Sequence, residues 1–319
     1  MRHLARRLIS WLPFIAQVAL CVAVLSWCAG RILTDRYTWS QWLWWTPTPV
    51  TLVLLLSGAI IALLSAPPAR WRVMRRAAWA IGLMLGIVYF TMIEHRFLHA
   101  PDADVDGIEI VHWTCTMAAP HERAAHVEWA RTFTGDLAIL MHTAGLSFDP
   151  GMAAVRDRGF HTYPVGLATA ISRMPLIEHR VIVRSGEYAV RLMRFDRLDG
   201  SGEQLALWLV DLPSDPRLPR WDVATRLREL LDSAGEAPPD LIIGDFNMQR
   251  GSASRRAIFP SHAHAFDEVG HGYGATYPRD RPFLHIDHVL TTDRLTVLRY
   301  DIEDPGHGRH RRQRFIIAR

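Results

Sequence analysis

Residues 238–250 read PPDLIIGDFNMQR. A turn-prone proline pair leads into a short apolar run, 241–243, and the run stops at Gly244-Asp245-Phe246-Asn247. A brief apolar run bounded by turn residues is the pattern of a buried strand. Taken alone, the Asp-x-Asn that closes it reads either as an Asx turn or as the floor of a site. Its surroundings have to decide.

From residue 107 onward the chain alternates short apolar runs with helical patterns. Strands are expected at 108–113, 137–141, 166–172, 179–184, 188–195, 205–210, 284–290, 295–300 and 315–318, and helices at 121–133 and 221–231. Many strands with few helices over about 220 residues imply two packed sheets flanked by helices. There is no internal repeat and no low-complexity tract. The stretch 100–104, Ala-Pro-Asp-Ala-Asp, reads as a linker between residues 1–99 and 100–319.

The first part has a different character. With 319 residues and 49% hydrophobic content, and a mean hydropathy of +0.04, the chain is more apolar than one soluble domain requires. The excess lies in 9–30, 48–66 and 77–93, each close to the ~20 apolar residues that cross a bilayer as a helix. Three transmembrane helices are therefore expected, with Trp11, Trp27, Trp42, Trp44 and Trp45 near their ends as interfacial aromatics. Arg2, Arg6 and Arg7 precede the first span, and Arg70, Arg72, Arg75 and Arg76 crowd the link between the second and third. The positive-inside rule assigns both segments to the cytoplasm. Three spans then put residues 94–319 outside it, in a bacterium as a periplasmic or extracellular domain anchored in the inner membrane.

Charge and cysteine narrow the function further. Cys21 and Cys28 fall in the first span and Cys115 is the one thiol beyond, so the C-terminal part forms no internal disulfide. A lone Cys115 reads as core. The chain has no lysine, a trait of base composition rather than of recognition, and its surplus positive charge sits in the membrane part. The C-terminal part is mildly acidic, which disfavours duplex DNA as a partner. One basic run, Arg309-His310-Arg311-Arg312-Gln313-Arg314, abuts the last apolar strand.

Several segments stand in a telling order: the strand at 108–113, the run 136–141, GLATAISRMP at 166–175, a strand ending Asp211-Leu212-Pro213, GDFN at 244–247, GATYP at 274–278 and IDHVL at 286–290. In these residues the sequence resembles the endonuclease/exonuclease/phosphatase superfamily, over roughly 105–319. GDFN, ISRMP and IDHVL carry most of the likeness. The resemblance implies an α/β fold, a four-layer α/β sandwich of DNase I-like type, with catalytic residues on loops at one end of the sheets. It implies cleavage of phosphodiesters or phosphomonoesters with a divalent metal, usually Mg²⁺, held by carboxylates. Carried over by position, Asp245 would orient or deprotonate the water, Asn247 would hydrogen-bond the phosphate, and Asp287 would orient a catalytic histidine.

Other positions depart from that pattern. The family's first strand ends in Asn where this chain has Thr114, and its second in a metal-binding Glu where this chain has His142. A central strand that ends in His ends here in Asp211. Matched to the apolar strand at 315–318, the family's terminal Ser-Asp-His-Arg falls on Arg311-Arg312-Gln313-Arg314. Arg312 then replaces a metal-contacting Asp, and Gln313 the catalytic His. Gln cannot take a proton near neutral pH, imidazole is a poor Mg²⁺ ligand, and a guanidinium repels a cation.

The expectation is a substantially degraded site, a noncatalytic domain that binds a phosphate-bearing ligand through Asn247 and Arg312 or binds a periplasmic protein. The alternative is an active phosphoesterase with a rebuilt site, acting on a lipid headgroup, nucleic acid or other phosphate. There His142, Asp211, Asp245 and Asp287 would suit Mn²⁺ or Zn²⁺, and His307 or His310 would replace the missing base if the last loop shifts register. His121, His126, His161, His262 and His264 read as surface or core residues rather than ligands.

Overall fold

The computed structural model describes residues 2–65, 69–100, 105–115, 120–197 and 202–319. From Pro101 on, the expected linker lies outside the described residues. The chain divides into two units, Met1–His95 and Arg96–Arg319.

The first unit is helical: α1 (Arg2–Leu33), α2 (Thr38–Trp44), α3 (Thr48–Leu64) and α4 (Ala69–Val88), the last continued by a π-helical turn, Tyr89–Glu94. Two stretches, Trp11–Leu33 and Arg70–Glu94, are long and apolar enough to cross a membrane. The expected middle span differs. Its helix has 17 residues and meets α2 at 73°. Pro47 and Pro49 cause the break, since neither has an N–H to extend the α2 ladder. The three expected spans are thus two, or three if the bent pair crosses as one. Trp27 and Trp44 flank the Arg31 guanidinium, each ring centroid 4.7 Å from it. Those two indoles therefore serve the helix bundle as well as its surface.

The second unit is built from β1 (Ile108–Thr114), α5 (Pro120–Thr132), β2 (Leu137–Met141), α6 (Ala153–Asp157), β3 (His161–Val165), β4 (Ala168–Ser172), β5 (Leu176–Ser185), β6 (Tyr188–Asp196), β7 (Gln204–Asp211), α7 (Arg220–Ala234), β8 (Leu241–Asp245), α8 (Ala253–Ile258), β9 (Ala263–His264), α9 (Ala265–Val269), β10 (Asp287–Thr291), β11 (Val297–Glu303) and β12 (Arg312–Ile317). One sheet has the order β11-β12-β1-β2-β4-β3 and the other β5-β6-β7-β8-β10-β9. Alternation along the strands sorts the side chains. Ile110, Ile139, Leu207, Leu209, Ile243, Val289 and Phe315 point between the sheets and form one core. On the outer face of the second sheet, Trp208, Val210 and Ile242 pack against Val223, Leu227 and Leu231 of α7. On the outer face of the first, Val111, Ala138 and Leu140 pack against Val127 and Ala130 of α5. The layers run helix, sheet, sheet, helix, as expected. Cys115 is buried.

The decisive stretch of sequence becomes β8 and the turn after it. β8 lies parallel to β7, with Asp211 opposite Asp245, and antiparallel to β10, with Asp287 opposite Asp245. Gly244 is required there. Its φ is +152°, and a Cβ would lie 1.9 Å from the Val210 carbonyl oxygen, so no side chain fits between β8 and β7.

The end of the chain corrects the sequence reading. β12 begins at Arg312, three residues before the apolar run, because its outward positions are charged. Arg312 Nε donates to Glu303 (2.7 Å) and its guanidinium lies over Trp129, while Arg314 Nη2 donates to Glu109 (2.7 Å). Arg312 therefore faces away from Asn247 and cannot share a phosphate with it. Gln313 points inward, and its Oε1 accepts from the Tyr300 hydroxyl. It is a core residue of the strand and does not replace a catalytic histidine.

Candidate active site

Three adjacent strands of the second sheet end side by side in carboxylates: Asp211 on β7, Asp245 on β8 and Asp287 at the start of β10. Neighbouring strands lie about 4.8 Å apart, so the three form a row along the sandwich mouth. The partners of the outer two come from the first sheet. His142, just after β2, has Nε2 3.1 Å from Asp211 Oδ2. Thr114, at the end of β1, donates its hydroxyl to Asp287 Oδ1. His310, two residues before β12, has Nδ1 2.9 Å from Asp287 Oδ2. Asp245, Asp287 and His310 bring one ligand-type atom each within 4.8 Å of one another.

The electrostatics follow from burial and proximity. Asp245 and Asp287 are 4% and 1% exposed. Burial, reinforced by the charge of Asp287, raises the Asp245 carboxyl to about 7. Burial also works against the Asp287 anion, but His310 and the hydrogen bonds from His310 and Thr114 outweigh it and hold Asp287 well below the usual carboxylate range. Burial lowers His310 as well, yet Asp287 overcomes it and raises the imidazole to about 9. The hydrogen bond to Asp211 raises His142. Near neutral pH the mouth thus holds the His310 imidazolium, the Asp287 anion and, in Asp245, a carboxyl poised at its midpoint.

Backbone geometry marks the same place. Among the described residues of the second unit, the non-glycine residues with positive φ are Arg96 (50°), His142 (56°) and Asn247 (51°), so two of these three stand in the site. Asparagine tolerates this conformation better than most residues. Asn247 donates its backbone N–H to Asp245 Oδ1 (3.1 Å) and its side-chain amide to Leu212 O (3.0 Å). These two bonds fix the GDFN turn and aim Asp245.

Behind the turn lies a buried histidine relay. Phe266 N donates to His264 Nδ1 (3.1 Å), which leaves the proton of neutral His264 on Nε2, 2.8 Å from His288 Nδ1. His288 Nε2 then donates to Met248 O (2.8 Å), and His285 Nδ1 to Gly274 O (2.6 Å). Burial lowers all three pKa values, that of His288 to about 3. The ring nitrogens converge within 4.8 Å, but His264 has no lone pair to give a cation while it caps α9 through Nδ1. The cluster braces Met248, next to Asn247, and supports the turn. His264 is therefore core, as expected, and His262 and His126 are buried too, whereas His121 and His161 are exposed.

The row of strand ends thus gathers Asp211, Asp245, Asp287 and His142, with Asn247 beside them, and leaves out Gln313 and Arg312. Sequence reasoning offered His310 only as a substitute and treated Thr114 as a loss. The Asp287 pairing makes both part of the site.

No protein-family profile and no curated protein matches the chain. Solved structures do. An endonuclease/exonuclease/phosphatase family protein from Bacteroides thetaiotaomicron superposes with a TM-score of 0.52 at 12% identity, over 68% of this chain and 100% of that one. A mannosyl-6-phosphatase from B. thetaiotaomicron VPI-5482 gives 0.52 at 12%, over 66% and 100%. A protein from Enterococcus faecalis V583, described as functionally unknown, gives 0.50 at 12%, over 66% and 99%. With the two sheets, the helical outer layers and the gathered strand ends, these likenesses establish that the C-terminal unit of this chain has the endonuclease/exonuclease/phosphatase, DNase I-like fold.

Proposed function

We propose that residues 96–319 form a phosphoesterase, held at a bilayer by the helices that precede them. The observation that carries this reading is the His310–Asp287 pair standing within 4.8 Å of Asp245. It reverses the main sequence argument for a degraded site, because the chain has its dyad histidine at position 310 rather than a glutamine at 313. Asp245, with a pKa of about 7, suits a base that takes the proton of an attacking water. His310, protonated to about pH 9, suits a donor to a phosphate oxygen or to the leaving group. Asp287 keeps that imidazole charged and oriented.

The donor set also fits a divalent cation. Asp245 Oδ2 and Asp211 Oδ1 accept no hydrogen bond among the described residues, and His142 adjoins Asp211. Two carboxylate oxygens suit Mg²⁺ or Mn²⁺, and an imidazole alongside shifts the preference toward Mn²⁺ or Zn²⁺. Such an ion supplies charge neutralisation for the phosphate.

The test is hydrolysis of bis(p-nitrophenyl) phosphate and p-nitrophenyl phosphate by the full chain in detergent under Mg²⁺, Mn²⁺ or Zn²⁺, beside Asp245→Ala. Metal-dependent turnover absent from the variant is expected; no turnover above the variant with any metal refutes the reading. His142 and Thr114, which stand where the resemblance implies Glu and Asn, favour a second reading, a binding domain without chemistry. Its mark is phosphate binding with no hydrolysis.

Orientation belongs to the proposal too. The arginine-rich segments 2–7 and 70–76 favour the cytoplasm, and the C-terminal unit lies outside the cell membrane if the bent helix pair crosses as one span.

A further inference from the structure

A pocket opens between the sheets beside the His142–Asp211 pair. Met141, Val165, Leu167, Ala168, Ala189 and Leu209 give it apolar walls, and Arg191 adds one cation. Its empty volume, the open mouth included, is about 330 Å³. Register explains how Arg191 comes to be there. On β6 it lies opposite Leu209, and Ala189 lies opposite Asp211, so Arg191 stands one inward-facing position deeper than the carboxylate row. Across the pocket, Gly166 turns the β3–β4 hairpin with φ +64°, and a Cβ there would fall 2.3 Å from the Arg191 guanidinium. The missing side chain makes the room that the guanidinium occupies.

Arg191 is half-buried, yet it makes no hydrogen bond or ion pair among the described residues. Other arginines of this unit have partners: Arg217 pairs with Asp215, Arg279 with Asp304, and Arg220 donates through both terminal nitrogens to backbone carbonyls. A half-buried guanidinium that faces an open pocket, with Asp211 as the acid on the same lining, is well matched to an oxyanion. Asp211 is next to Asp245 in the carboxylate row, so a ligand in this pocket lies one strand spacing from the proposed site of hydrolysis.

We infer that this pocket is a subsite for a second anionic group of the substrate, a carboxylate or phosphate carried on a short arm from the scissile phosphate, with Arg191 as its recognition residue. The inference rests on the phosphoesterase reading for what the neighbouring site does. The subsite itself is testable by binding alone.

The full chain in detergent is titrated calorimetrically with two pairs of probes. Glycerol 3-phosphate against 3-phosphoglycerate compares one anionic group with two in a soluble ligand. Dihexanoyl phosphatidylcholine against dihexanoyl phosphatidylserine makes a similar comparison in a lipid. The expected result is at least a tenfold preference for the two-anion member of one pair, lost in Arg191→Gln and partly kept in Arg191→Lys. The pair that shows it identifies a soluble or a lipid source. Gly166→Ala, which crowds the guanidinium without removing it, should weaken the same preference, and the thermal unfolding of each variant checks its fold. Equal binding within both pairs, a preference that survives Arg191→Gln, or no binding of any probe overturns the subsite. Hydrolysis is not read, so an inactive enzyme with an Arg191-dependent preference sinks the phosphoesterase reading and leaves the subsite standing.

Discussion

Replacing His310 by glutamine removes the titrating member of the pair while keeping a hydrogen-bond donor of similar reach. In the folded chain the imidazole is raised from 6.5 to about 9. A base whose pKa is higher in the folded state binds its proton more tightly there. Its contribution is complete below pH 6.5 and is lost as the pH rises through 9. At about 1.4 kcal/mol per unit, a shift of this size corresponds to about 3 kcal/mol, an upper figure for a pair so closely coupled. For a unit of this length that is about 6–12 °C in Tm. Asp245 titrates from 3.8 to about 7, mostly below this window, so His310 dominates the alkaline limb. The assay is thermal unfolding of the full chain in detergent at pH 6.5 and pH 9, followed by near-ultraviolet circular dichroism. The wild type should lose markedly more Tm between the two values than His310→Gln, which starts lower because Asp287 has lost its counter-charge. Equal losses in the two proteins would mean that His310 does not hold its proton through Asp287, and the electrostatic account of the site would fall.

The rate of phosphoester hydrolysis should fall as the His310 imidazolium loses its proton near pH 9; a rate unchanged between pH 8 and 10 excludes His310 as the proton donor. Gly244→Ala should cost about 3 kcal/mol or more, since its Cβ meets the β7 backbone, and an unchanged melting temperature would refute the close approach. A reporter that works only outside the cytoplasm, fused after Arg319, should give signal if the bent pair of helices crosses as one span. Signal from a cytoplasm-only reporter instead would mean two spans and a cytoplasmic domain.

Much of this fold was open to sequence reading because its strands are inner ones. The segments 137–141, 205–210 and 241–243 are apolar on both faces, and each has the length of a buried strand. β3 was missed, since His161-Thr-Tyr-Pro-Val carries a proline and exposed polar residues at a sheet edge. β9, with two residues, has no periodicity to detect. At the site, Asp245, Asn247 and Asp287 were legible from GDFN and IDHVL. The error at the C-terminus came from a strand whose outward positions are arginines. Apolar content places β12 at Phe315, whereas ion pairs with Glu303 and Glu109 extend it back to Arg312. Gln313 then lies inside the strand, three positions beyond His310, which fills the place before it. Arg191 carries no local signal at all, because its environment comes from a hairpin 25 residues earlier in the chain.

That outer carboxylates of one sheet find their partners on the other gives the mouth of the sandwich a second meaning. Each imidazole–acid pair at the mouth is drawn from both layers: β10 supplies Asp287 and the segment before β12 supplies His310, while β7 supplies Asp211 and the segment after β2 supplies His142. A chain still assembling therefore has bare aspartates at one edge and unpaired histidines at another, and neither has the proton affinity the finished pair displays. Both pairs exist only when the two layers meet in register, so a shear of one residue between the layers would part them without unfolding either one.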